Sequence, residues 1–227
     1  MQQLSPALAE MEPRTFPLAV RPTYRAKAWM DLLLAAGLLV LSLPVMAFTV
    51  LLIRCTSAGP ALYRQTRVGR GGRIFTIYKF RTMEHNCESK SGIQWSVMGD
   101  PRITPLGRWL RRLHLDELPQ LWNVICGEMS LVGPRPERPE IVADLQVSIC
   151  GYDIRHTVLP GITGFAQVHL PPDSSILTVK NKLIYDRFYI SRLVLGMDLY
   201  CLGCTGLKVL GLRKLYQRPP NKPAGEE

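Results

Sequence analysis

Hydrophobic and polar positions alternate differently in different parts of the chain, and each pattern predicts a different element. From Leu32 to Ile53 run 22 residues without a charge, long enough for a helix to span a bilayer. Pro44 interrupts this run near its middle. A proline there removes one backbone hydrogen bond and crowds the preceding turn, and Ser42 is placed to satisfy a freed carbonyl. The arms on either side, 32 to 43 and 45 to 53, reach only about 14 to 18 Å each at helical rise, roughly half a bilayer. Arg14, Arg21, Arg25 and Lys27 precede the run, and Arg54, Arg64, Arg67, Arg70 and Arg73 follow it. A spanning helix carries its basic excess on one side only. The pattern therefore predicts a re-entrant helix-break-helix over 25–54, with a kinked spanning helix as the alternative.

Downstream the periods shorten. Between Ala61 and Phe80, two stretches of strand character flank GRGG (69–72), which predicts a β-hairpin whose second strand, RIFTIYKF, delivers Lys79 and Arg81. Thr104 before Pro105 marks a helix start, and LGRWLRRL carries Arg108, Arg111 and Arg112. Leu118, Leu121, Trp122 and Ile125 fall on one face of a short helix that opens near Pro119 and stops at Gly127. Residues 193–212 are apolar but hold Asp198, Lys208 and four glycines. With Arg213 and Lys214 following, this reads as an amphipathic segment lying in a membrane interface rather than a second span. Residues 1–24 and 216–227 read as flexible tails. Residues 55–215 remain as the catalytic domain. The fold class expected is α+β, mainly helical with a small β-hairpin, in a monotopic membrane protein.

Composition narrows the partners. A hydrophobic share of 47% with net charge +10 and pI near 9.6 points to a polyanion. No zinc-finger, RNP-type aromatic or helix-turn-helix signal appears, so nucleic acid is set aside in favour of anionic membrane lipids and a diphosphate substrate. No segment reads as a cleavable signal peptide, and the six cysteines are expected to be reduced and buried. Cys201 and Cys204 form a CxxC that no second pair or histidine cluster completes.

The densest chemistry lies in LDELPQLWNVICGEMSLVGPRPE (115–137). Asp116 and Glu117 stand at or just before a helix N-terminus, where free backbone N–H groups attract anions. Two adjacent acids can divide phosphate chemistry, one attacking phosphorus and the other holding a metal. The plainer alternative is that Asp116 caps the helix and Glu117 suits its dipole. Arg135 stands between two prolines that restrict the backbone, leaving a guanidinium able to bind a diphosphate bidentately, or to pair with Glu137.

The strings GPALYRQTRVGRGGRIFTIYKFRTM (59–83), DPRIT (100–104), LDELPQLWNV (115–124), GEMSLVGPRPE (127–137) and PGITGFAQV (160–168) occur in this order. Together they resemble the bacterial sugar transferase family, the monotopic phosphoglycosyl transferases that start glycan assembly on a polyprenyl phosphate. The resemblance covers about residues 25 to 212. It implies a sugar 1-phosphate passing from a UDP-sugar to polyprenyl phosphate, with release of UMP, at the cytoplasmic face of the bacterial inner membrane. It further implies Mg²⁺ held by Glu117 with Asp186, Asp116 as nucleophile, and Lys79, Arg111, Arg135 and Arg155 on the phosphates. Arg155 and Asp186 rest on the resemblance alone. The chain departs from the family pattern at His114 (usually Ser or Thr), at Leu159 (usually Lys or Arg) and in HLPPDSS (169–175), so the identity of the sugar does not carry over. Homodimer formation stays open, as do two rival roles, a membrane-bound scaffold and a lipid diphosphate hydrolase.

Overall fold

The computed structural model describes residues 22–87, 92, 99–173, 175–212 and 216. Almost all of both expected tails lies outside these, as do Arg14, Arg21, Arg213 and Lys214. Helix α1 (Pro22–Thr56) is 35 residues long and its helical assignment continues through Pro44. By length and composition it is apolar enough to cross a membrane. The carbonyl freed by a proline at 44 belongs to Val40, but the Ser42 hydroxyl donates instead to the Leu39 carbonyl at 3.0 Å.

One stripe of α1 faces the rest of the protein. Lys27, Asp31, Ala35, Thr49 and Ile53 are buried, with Leu39, Ser42 and Met46 half-buried between them. These positions recur every three or four residues, one face of a helix from end to end. The first half packs on Ile77, Leu121 and Val124, and the last turns pack on Phe80, Ala61 and Leu110. The opposite face exposes Leu33, Val40, Leu41, Leu43, Phe48 and Leu51. An apolar face of this extent marks a surface made to be covered.

Strands β1 (Leu62–Val68) and β2 (Ile74–Phe80) pair antiparallel in register from Leu62↔Phe80 to Val68↔Ile74, joined by a 3₁₀ turn over Arg70–Gly72. This is the hairpin expected at GRGG. Helix α2 (Pro105–Arg112) begins where expected, with the Thr104 hydroxyl accepting from the Gly107 N–H at 2.9 Å. Helix α3 (Gln120–Ile125) follows, then β3 (Ser130–Val132), α4 (Pro139–Ser148), a 3₁₀ turn (Tyr152–Thr157), β4 (Gly161–Thr163), α5 (Phe165–His169), α6 (Ile176–Arg192) and α7 (Leu195–Val209). The parallel pair β3–β4, with Ser130 opposite Gly161 and Val132 opposite Thr163, has no counterpart in the sequence reading. Three-residue strands are too short to show a period.

Three expectations change. Trp122 lies on the outward side of α3 and is 53% exposed, while Leu121 and Val124 face the core. Asp198 sits on the buried face of α7 at 1% exposure, and the large apolar side chains of Val194, Leu199, Tyr200, Leu210 and Leu212 are exposed, so its polar group lies inside and apolar side chains outside. Cys201 and Cys204 are buried as expected, but Cys55, Cys126 and Cys150 are exposed and Cys87 is half-buried.

A charged clasp joins α1 to the domain. Lys27 Nζ lies 3.0 Å from Asp198 Oδ2 and 3.5 Å from Asp31 Oδ2. The Ser130 hydroxyl donates to Asp31 Oδ2 at 2.6 Å, and the Tyr189 hydroxyl lies 2.7 Å from Asp198 Oδ1 and 2.9 Å from the Val132 carbonyl. Strand β3 is thereby tied to the membrane-type helix on one side and leads into the Gly133–Glu137 turn on the other.

Candidate active site

The acids stand in a turn, one step before the helix that the sequence suggests. After α2, His114 adopts a left-handed backbone (φ 56°, ψ 20°), and Leu115–Glu117 form a single 3₁₀ turn ahead of Pro119 and α3. A left-handed non-glycine residue is uncommon, and such strain concentrates at functional positions. The turn buries Asp116 to 8% exposure. Asn123, fully buried, holds α3 against the strand that delivers Lys79: its Nδ2 donates to the Thr76 carbonyl at 2.8 Å and to Glu128 Oε2 at 2.7 Å, and its Oδ1 accepts from the Tyr78 N–H at 3.3 Å.

Glu117 is ringed by basic side chains. Arg135 Nη2 donates to Glu117 Oε1 at 2.9 Å, Lys79 Nζ lies 3.6 Å from the same oxygen, and His114 Nδ1 is 3.9 Å from Oε2. Burial alone raises the Glu117 carboxyl, but Arg135 and Lys79 outweigh it and hold the group well below the usual carboxylate range. Asp116 moves the other way, pushed up to about 6 by burial and by the neighbouring Glu117 charge. Lys79 is lowered to about 8, by burial and then by Arg135. Neighbouring acids driven apart in this way suit separate roles.

Several polar atoms here are left open. Asp116 Oδ1, Gln120 Nε2 and Gln167 Nε2 are buried without a hydrogen-bond partner, where native proteins rarely leave one. Gln167 Oε1 is 3.5 Å from Arg135 Nη1, so its unpaired amide lies beside the guanidinium. Arg111 Nε donates to Thr82 Oγ1 at 2.9 Å, and Asp116 and Arg111 feel each other's charge. Arg108 and Arg112 are exposed, as a solvated basic face requires.

Arg155 and Asp186 form a layer behind this. Arg155 Nε donates to Asp186 Oδ2 at 2.8 Å, Nη1 to the Tyr152 hydroxyl at 2.7 Å and Nη2 to the Arg135 carbonyl at 3.0 Å. Asp186, 2% exposed, is thereby linked through Arg155 to the backbone of Arg135. Glu137 pairs with Arg67 at 3.4 Å, which leaves Arg135 to Glu117. The turn is set by backbone packing. A Cβ at Gly161 would lie 2.0 Å from the Gly133 nitrogen, and one at Gly164 2.1 Å from the Gly133 carbonyl. Glycines in GPRPE and PGITG thus bring Arg135 and Gln167 together.

The structure gathers Asp116, Glu117, Lys79, Arg111 and Arg135 in one place, with Arg155 and Asp186 packed behind Arg135. Gln120, Asn123 and Gln167 were not singled out in the sequence, although Gln120 and Gln167 stand inside the strings DELPQ and GFAQV. Among the described residues no group of three or more His, Cys, Asp or Glu could hold a metal. Mg²⁺ often takes only one or two carboxylates and fills its shell with water and substrate phosphates. Adjacent carboxylates, one with an orphaned oxygen, fit that mode.

Comparison with known proteins bears on the same region. The model of the family described as bacterial sugar transferase matches residues 22–211. The chain is 42% identical over 172 residues to a UDP-N-acetylgalactosamine-undecaprenyl-phosphate N-acetylgalactosaminephosphotransferase of Aeromonas hydrophila, covering 76% of this chain and 40% of that protein. It is 40% identical over 193 residues to a UDP-glucose:undecaprenyl-phosphate glucose-1-phosphate transferase of Xanthomonas campestris pv. campestris, covering 84% of this chain and 40% of that protein. An exopolysaccharide production protein PSS of Rhizobium leguminosarum bv. phaseoli is 38% identical over 169 residues, 72% of this chain and 84% of its own length. The chain thus spans about two fifths of the length of the first two relatives. With the matched region running from the start of α1 past the end of α7, the chain belongs to the bacterial sugar transferase family.

Proposed function

We propose that this protein transfers a sugar 1-phosphate from a UDP-sugar to a polyprenyl phosphate, releasing UMP, at the cytoplasmic face of the bacterial inner membrane. The observation that carries the reading is a buried carboxylate with an unpartnered oxygen, Asp116, beside a second carboxylate gripped by Arg135 and Lys79. Relatives named as undecaprenyl-phosphate sugar phosphotransferases support it.

In the first step an Asp116 oxygen attacks the β-phosphorus of the donor. An oxygen–phosphorus bond forms to the aspartate, the anhydride bond to the α-phosphate breaks, and UMP leaves with the bridging oxygen. In the second step an oxygen of the lipid phosphate attacks the same phosphorus, and the aspartate departs as carboxylate. A covalent route suits one soluble and one membrane-borne substrate, because the two need not be bound together. Arg135, Lys79 and Arg111 neutralise the diphosphate. With the donor phosphates drawing Arg135 and Lys79, Glu117 is the carboxylate that would hold Mg²⁺. The ion would supply further neutralisation of phosphate charge.

The seating of α1 supports a re-entrant topology. A straight helix of 35 residues is about 52 Å long, more than a hydrocarbon core of about 30 Å, yet both of its ends pack on the same domain. These contacts support a reading in which both ends lie on one side of the membrane, with the bare face toward lipid. Helix α7, with Leu199 and Tyr200 outward and Leu210 exposed just past its end, suits the interface.

The test is UMP release by purified protein with a panel of UDP-sugars and polyprenyl phosphate. Labelled UMP should also exchange into the correct UDP-sugar without lipid, since the first step is complete in itself. A scaffold would show neither reaction. A lipid diphosphate hydrolase would cleave a lipid diphosphate with water and would need no UDP-sugar. Cysteines introduced at Arg25 and Ala58 should both label from the cytoplasmic side only, and periplasmic labelling at position 25 would overturn the topology.

A further inference from the structure

Arg81 is a buried cation with no counter-ion among the described residues. It follows β2 directly, its backbone N–H donating to the Ala61 carbonyl at 2.8 Å, and is 7% exposed. Nη2 is anchored to the end of α1, 2.9 Å from the Ser57 carbonyl and 2.7 Å from its hydroxyl. Nε and Nη1 have no hydrogen-bond partner. Among the described residues no carboxylate forms an ion pair with Arg81. Burial pulls its guanidinium down, with no acid pulling it back. A guanidinium desolvated in this way is costly unless an anion completes it.

The surroundings say what kind of anion. Over Nη1 lies Gly59, where a Cβ would come within 2.4 Å of that nitrogen and 2.9 Å of the His85 ring. Gly59 and His85 are both exposed, so the cover on this side is a residue with no side chain and one free imidazole. The elements that build the nearby cluster of Ile53, Ala61, Phe80 and Leu110 also carry exposed apolar side chains, Leu51 on α1, Leu62 on β1 and Trp109 on α2. A forked cation at the foot of the membrane-type helix, among elements that carry exposed apolar side chains, matches a phosphate carried on a lipid. The position also leads inward. Thr82, the next residue, accepts from Arg111 Nε, and Lys79, two residues back, reaches Glu117.

We propose that Arg81 docks the phosphate monoester of the lipid acceptor where α1 meets the domain, before that phosphate moves along Arg111 and Lys79 to the reacting phosphorus. This rests on the transferase reading above, and an anionic phospholipid headgroup offers related chemistry. The test uses the full chain in nanodiscs of zwitterionic lipid. Arg81→Gln should raise the KM for polyprenyl phosphate about tenfold or more, the scale of a lost charge-assisted hydrogen bond, while the KM for the UDP-sugar changes less than twofold. Arg81→Lys, keeping charge without the fork, should fall between, and serves alone if the Gln variant does not fold. Equal shifts in both KM values, or none in either, overturn the proposal.

Binding without turnover provides the second arm. Quenching of the exposed Trp109 and Trp122 by a polyprenyl phosphate carrying a quencher should exceed quenching by the matching polyprenol in the native protein and lose that preference in the variants. Competition by phosphatidylglycerol at equal mole fraction as strong as that by unlabelled polyprenyl phosphate would overturn the acceptor assignment in favour of a general phospholipid contact. Competition by millimolar inorganic phosphate alone, with no preference for the lipid, would overturn it too. An absence of any turnover in the native protein would sink the transferase reading, whereas a lost binding preference in the variants would still support Arg81.

Discussion

Two buried charge clusters of similar composition end differently. At the clasp, Lys27, Asp31 and Asp198 are joined by Ser130 and Tyr189, and none of their side-chain polar atoms is left buried and unpaired. Around Asp116, two acids face Lys79, Arg111 and Arg135, and buried atoms of Asp116, Gln120 and Gln167 lack partners. The clasp carries more acid than base. The site carries more base than acid. A closed cluster resolves its own electrostatics and holds elements together, while an open one with surplus positive charge is completed by an anion from outside.

That contrast breaks most sharply at Asp116. Asp116→Asn should lower UMP release by about a thousandfold or more, because an amide cannot be the nucleophile. The thermal midpoint should hold or rise, since the burial that raises the native carboxyl no longer penalises a charge. Near-native turnover would remove Asp116 from the chemistry.

Asp198→Asn should do the reverse. Breaking one partner out of a buried ion pair costs about 3–5 kcal/mol of stability, read by denaturant unfolding, while kcat/KM per folded molecule stays within a few fold. Loss of turnover with unchanged stability would show that the clasp is part of the chemistry.

Smaller effects separate a group in the site from its support. Arg135→Ala should cost about 2–4 kcal/mol in the first half-reaction, seen in the rate of UMP exchange, if its guanidinium meets the developing charge. Arg155→Lys should cost less but along the same axis. Lysine keeps the charge near Asp186 and loses the fork that also reaches Tyr152 and the Arg135 carbonyl. A larger loss for Arg155→Lys than for Arg135→Ala would put Arg155 on the substrate itself.

The smallest effect is on pH. Asp116 must be ionised to attack, and its carboxyl is raised to about 6, so kcat/KM should climb as pH rises through that value. Lys79 must be protonated to neutralise phosphate, and it is lowered to about 8, so kcat/KM should fall above it. The bell reports the free enzyme. Lys79→Arg, which stays charged, should remove the alkaline limb and leave the acid limb in place.

Contiguous signals were legible before folding. GRGG between two strand-like runs specified the hairpin, Thr104–Pro105 specified the start of α2, and the order of the motif strings specified the family. The pairing of Arg155 with Asp186 was not legible. Each is a lone polar residue in an unremarkable local setting, and only the fold brings the two together beneath the Arg135 carbonyl. Trp122 shows the same limit: helical spacing set its angle on α3 but not which side of α3 met the core.

The sequence by itself determined the long apolar helix, the adjacent acids with their surplus of nearby base, and the glycines that let GPRPE and PGITG approach. These follow from composition, period and the sterics of neighbouring residues. Tertiary structure alone decided that Lys27 closes on Asp198, 171 residues away, that Asp31 reaches Ser130, 99 residues away, and that Asp116 keeps an unpaired oxygen while Glu117 does not. Partnership and desolvation arise between segments that no local pattern relates, and they determine which buried charges are satisfied and which remain open to substrate.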